Sequence, residues 1–113
     1  MNILFVNNNL VVKPDSEIDH KNSAIMRHYI DKEINSRPVS NLIFDLQNVE
    51  MMDSSGIGMI LGRYKNMRAL NGNVYIAQPK KEILKIINIS GLHKIIPVCK
   101  DVNVAISTSN EVK

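Results

Sequence analysis

A chain of 113 residues is about the size of one folding domain, and residues 1–113 are read here as a single unit with a polar tail, 108–113, expected to fray. The composition, 44% hydrophobic and 22% charged with 4% aromatic residues, describes an ordinary globular chain whose core is aliphatic, and no apolar run approaches the ~18 residues that span a bilayer. The net charge of +3 is uneven: residues 1–53 carry 5 basic and 8 acidic groups (−3) and residues 54–113 carry 9 and 3 (+6), but the cations are dispersed and few aromatics accompany them, which argues against nucleic-acid binding.

The N-terminal Met1–Val12 segment has no basic leader region and its apolar run is broken by Asn7-Asn8-Asn9, so it does not read as a signal peptide. The lone Cys99 cannot form an internal disulfide, which fits a cytoplasmic location. Ile3–Val6 and Leu10–Val12, joined by asparagines that tolerate left-handed turn geometry, predict a hairpin. Asp19 predicts the cap of a helix over 20–36 with Met26, Tyr29, Ile30 and Ile34 inward, ended by Pro38. Leu42–Leu46 reads as a central strand. After Asp53 a second helix is predicted with Ile57, Ile60, Leu61, Tyr64 and Met67 toward the sheet and Met59, Gly62, Arg63 and Asn66 on other faces. Val74–Ala77 reads as a buried strand, and Pro79 as the first turn of a third helix. Ile83, Ile86 and Ile87 form that helix's inner stripe and Gly91 its C-terminal cap. Ile95–Val98 reads as an edge strand that accommodates Pro97. A last helix is expected over Asp101–Ser107. The order predicts an α/β fold: a mixed, mostly parallel sheet of about five strands with about four helices.

The chemistry concentrates in Asp53-Ser54-Ser55-Gly56-Ile57-Gly58, where strand hands over to helix. Asp53 or Ser54 is placed to cap the helix, a role worth ~1 kcal/mol that by itself implies no function. Use of a serine as nucleophile needs a base, yet His20, His28 and His93 are scattered, and Met52 stands where a nucleophile elbow needs its first glycine. No His pair or Cys cluster suggests a metal, so no metal or cofactor is expected. Gly56, Gly58 and Gly62 are misplaced for a dinucleotide or P-loop fingerprint. A helix N-terminus does welcome an anion, so a phosphate on Ser54 or Ser55 is compatible with the fold and would add about −1.5 to −2 charges at a corner. Cap, nucleophile and phosphoacceptor thus all remain open on the residues alone.

The block Met52-Asp53-Ser54-Ser55-Gly56-Ile57-Gly58-Met59-Ile60-Leu61-Gly62-Arg63-Tyr64-Lys65 resembles the signature of the anti-sigma-factor antagonists, which are single STAS domains, and is most similar to the sporulation branch of that family that acts in the forespore. Glu17-Ile18-Asp19 with Ala24, Asn41–Leu46 and Ser90–Ile96 resemble further family blocks in the same order; Ser16 departs from the usual glycine, and the first hairpin matches poorly. The resemblance implies a regulatory protein rather than an enzyme. Unphosphorylated, it would bind an anti-sigma factor that is also a serine kinase, freeing a sigma factor. Phosphorylation of Ser54, directly after the motif aspartate, would end that binding, and a PP2C-type phosphatase would restore it. The docking face implied comprises Glu17, Asp19, Asp53, Ser55, Gly56, Gly58, Met59 and Arg63. The expected free form is a cytoplasmic monomer with no direct nucleic-acid or membrane partner. The alternatives are a general stress-response antagonist of the same family and a nucleotide- or anion-binding STAS module.

Overall fold

The computed structural model describes the backbone of residues 1–111 and the side chains of residues 1–109. Its five strands are β1 (Asn2–Val6), β2 (Asn9–Lys13), β3 (Asn41–Asp45), β4 (Asn73–Ala77) and β5 (Val98–Cys99), lying side by side in chain order. The β1–β2 pair is antiparallel and the other pairs are parallel, so the sheet is mixed and mostly parallel. The hairpin turns on Asn7, which adopts a φ of 55°, a left-handed value that asparagine accepts more readily than most residues. Four helices follow: α1 (His20–Ser36), α2 (Ser54–Ala69), α3 (Lys81–Ser90) and α4 (Val102–Glu111), with a short 3-10 turn at Leu92–Lys94.

The near-continuous apolar strands divide their side chains between two faces by the two-residue repeat. Leu10, Val12, Leu42, Phe44, Val74 and Ile76 point to one face and pack with Met26, Ile30 and Ile34 of α1, Ile60 and Met67 of α2, and Ile83 and Ile87 of α3. Val11, Ile43, Tyr75 and Ala77 point to the other, where Ala105 of α4 covers them. Three helices therefore lie on one face and one on the other. Burial on this second face raises the pKa of the Tyr75 phenol and of the Cys99 thiol, and Cys99 is free and buried. No described helix is long and apolar enough to cross a membrane.

Several elements differ in detail from expectation. Tyr29 is 50% exposed, and Ser23 takes the inward position in its place, because the buried stripe of α1 runs 23–26–30–34. Pro79 lies outside α3, preceding its N-cap Lys80, while Gly91 closes the helix in the left-handed region as expected. The chain over 92–94 winds into a 3-10 turn and the edge strand begins only at Val98, so Pro97 contributes its carbonyl, which accepts from the Ile76 amide at 3.0 Å. The segment 108–111 is helical rather than frayed: Thr108 Oγ1 donates to the Val104 carbonyl at 2.8 Å and Ser109 Oγ to that of Ile106 at 2.7 Å. Val112 and Lys113 lie outside the described residues.

Candidate functional site

The corner is assembled by one parallel bridge between the loops that precede α1 and α2. The Ile18 amide donates to the Met51 carbonyl at 2.9 Å, and the Asp53 amide donates to the Ile18 carbonyl at 3.2 Å. Ile18 and Met52 are buried beneath it. The residues that follow each bridge partner, Asp19 and Asp53, are the N-caps of the two helices. Asp19 Oδ1 accepts from the Asn22 amide at 2.8 Å; Asp53 Oδ1 accepts from the amides of Ser55 at 2.8 Å and Gly56 at 3.3 Å. Of the two candidates for the α2 cap, Asp53 holds the position and Ser54 is the first helical residue. Two helix N-termini, each with a partial positive charge, thus open side by side. Asp53→Ala should lower stability by about 1 kcal/mol, read in a thermal melt as a fall in Tm of about 5 °C; an unchanged Tm would deny Asp53 this role.

Ser54 and Ser55 differ in surroundings although adjacent. Ser54 is exposed, with no hydrogen bond from its hydroxyl among the described residues. Ser55 is half-buried, its amide tied to Asp53, and its Oγ lies 3.5 Å from Nδ1 of His20, the first residue of α1. This Ser–His approach, across 35 residues of sequence, escaped sequence reasoning. No carboxylate is bonded to His20 among the described residues, so the orienting acid of a hydrolytic triad is missing there.

Of the other expected site residues, Glu17, Asp53 and Gly58 are exposed and Asp19 is half-buried. A Cβ on Gly58 would find no atom within 4 Å, leaving the helix backbone open to close approach. Gly56, Met59 and Arg63, also expected on the docking face, are buried on α2 and do not reach the outer surface of this corner. Gly56 is sealed under Met52 and Ile18. The buried stripe of α2 runs 56–59–60–63–67, rotated from the expected one toward α1, and leaves Ile57, Leu61 and Tyr64 only partly buried.

Arg63 carries the cost of that rotation. It is 7% exposed, and its Nε lies 3.0 Å from Asp31 Oδ1 of α1, close enough for an ion pair although not aligned as a hydrogen bond; its Nη1 has no hydrogen-bond partner among the described residues. Burial lowers the pKa of the guanidinium, Asp31 opposes that shift and Arg27 adds to it. Arg63 remains charged at any ordinary pH, so the pair ties α1 to α2. Beside it a cleft of ≈ 370 Å³ runs between the two helices, lined by His20, Ser23, Arg27, Ser55, Gly58 and Gly62 among others. No cluster of metal-ligating side chains occurs among the described residues.

Comparison with known proteins places this arrangement. The STAS domain family matches residues 1–105. A curated relative named anti-sigma F factor antagonist, from Paenibacillus polymyxa, is 35% identical over 89 residues, 79% of this chain and 76% of the relative. The solved structure of the anti-sigma factor antagonist SpoIIAA in its unphosphorylated form superposes with a TM-score of 0.86 at 25% identity, over 99% of this chain and 97% of that one. The Bacillus cell fate determinant SpoIIAA in its phosphorylated form superposes with a TM-score of 0.74 at 26% identity, over 99% and 98%. From the family match over residues 1–105 and the 35% identity to a curated antagonist, the chain belongs to the STAS domain family.

Proposed function

We propose that the protein is an anti-sigma-factor antagonist controlled by phosphorylation of Ser54. The observation that carries this reading is the exposed Ser54 hydroxyl at the start of α2, without a hydrogen bond among the described residues, set beside the α1 N-terminus and directly after the cap residue Asp53. The relatives named for anti-sigma F factor antagonism, and the existence of a phosphorylated form of SpoIIAA with this fold, support it.

In the unphosphorylated state the corner binds an anti-sigma factor that is also a serine kinase, and the sigma factor, here a sporulation one, is released. The kinase then transfers a phosphoryl group to Ser54. The first-turn amides of Ser55 and Gly56 are already bonded to Asp53, so the dianion projects into solvent at the positive end of the α2 dipole, where the fold tolerates it. The partner surface, shaped for a neutral hydroxyl, meets two extra negative charges and lets go. A PP2C-type phosphatase removes the phosphate. The protein acts as a monomer in the cytoplasm, needs no cofactor and performs no catalysis of its own.

Phosphosite mapping after incubation with the partner kinase and ATP tests this directly. Label is expected on Ser54 and absent from the Ser54→Ala variant, which should stay bound to the kinase; label on Ser55 alone would refute the assignment.

A further inference from the structure

We propose that His20 decides which of the two adjacent serines is modified, by holding the Ser55 hydroxyl against α1 and leaving Ser54 as the acceptor; this rests on the reading of the corner as a phosphorylation site. The sequence places identical nucleophiles side by side, and a kinase that docks on the corner meets both. Phosphoryl transfer needs an in-line approach. The serine oxygen forms the new O–P bond, the γ-phosphorus separates from the bridging oxygen of the nucleoside triphosphate, the diphosphate leaves, and the hydroxyl proton passes to a base of the kinase.

Ser54 meets that requirement, being exposed, with a hydroxyl that makes no hydrogen bond among the described residues. Ser55 does not. Its residue is half-buried, it lines the cleft, and Asp53 Oδ1 fixes its amide at 2.8 Å, which restricts how the residue can turn. His20 Nδ1 stands 3.5 Å from Ser55 Oγ at the exposed edge of the cleft that both residues line, a long contact that gives the hydroxyl a partner on α1. For Ser55 to attack, Oγ must leave that partner and swing out beside Ser54. His20 is itself exposed and is held opposite Ser55 by the Ile18–Met52 bridge and the Asp19 cap, not by its own packing. Its removal therefore leaves the corner standing. The imidazole acts through Ser55 and is a positioning residue.

The test compares wild type, His20→Ala and His20→Asn as full chains, each incubated with the partner kinase and ATP, with the label on each serine quantified by mass spectrometry. Wild type should carry label almost wholly on Ser54. In His20→Ala the share on Ser55 should rise about fivefold, the worth of one modest hydrogen bond, while the Tm stays unchanged. His20→Asn, whose amide reaches the same side, should restore the wild-type distribution. A second reading needs no kinase: Ser55→Ala should shift the His20 ring nitrogen resonances in NMR spectra, and Ser54→Ala should not. Label confined to Ser54 in His20→Ala, or His20 resonances indifferent to Ser55→Ala, would overturn this inference and leave the proposed function intact. Absence of label from both serines in wild type would overturn both.

Discussion

Ser54→Asp is expected to weaken binding to the anti-sigma partner on the order of 100-fold, since like-charge or unpaired-charge contacts at an interface cost several kcal/mol, while moving the Tm by no more than about 2 °C. The two outcomes separate because the hydroxyl is exposed and makes no hydrogen bond among the described residues, so the fold loses no contact when it is replaced. A carboxylate at the first helical position is also favoured by the α2 dipole. The same charge stands next to the carboxylate of Asp53, the N-cap that directly precedes it. Paired calorimetric titration and thermal melts read both quantities. A large fall in Tm would mean that Ser54 supports the fold and that any loss of binding is indirect.

Gly56→Ala should have the opposite profile and should damage the fold first. A Cβ at Gly56 would overlap Met52 Cγ and stand 2.8 Å from Ile18 Cγ2, and both residues belong to the bridge that aligns the two helix N-termini. With two buried side chains met at once, the overpacking lies in the upper part of the usual range, about 2–3 kcal/mol, which exceeds by about 1–2 kcal/mol the ~1 kcal/mol that alanine gains over glycine in a helix. A fall in Tm of about 5–10 °C is expected, with Ser54 displaced along with the bridge. Gly58→Ala, two residues on, has open space around it and should raise the Tm slightly. The reverse order of these two melts would contradict the placement of Gly56 as the point where α2 is pressed onto the corner.

Much of this architecture was legible in the residues. Asp19 and Asp53 announce helix starts by chemistry that acts within a few positions of each cap, and both caps lie where expected. The hairpin asparagines, the strand expected over Leu42–Leu46 and found as Asn41–Asp45, and the Gly91 terminator are local in the same sense. What escaped was set by contacts between distant segments. Arg63 looks like a solvent residue, yet Asp31 on α1 and the rotation of α2 bury it. Ser23 sits on the α1 stripe at helical spacing, a signal that its polar side chain concealed. Nothing in the chain order places His20 against Ser55, because their approach depends on the Ile18–Met52 bridge. The last helix ran past its expected end because Thr108 and Ser109, residues associated with chain ends and turns, bond back to the preceding turn instead.

The most direct test is a calorimetric titration of the anti-sigma partner with two preparations of the same chain, one unmodified and one stoichiometrically phosphorylated on Ser54, with hydrogen exchange of α1 and α2 recorded for each. Tight binding by the unmodified protein, binding by the phosphorylated one too weak to measure at the same concentrations, and matching exchange protection in the two free forms are what a surface charge switch requires. Equal affinities would contradict it, as would a loss of affinity that came with unprotected helices.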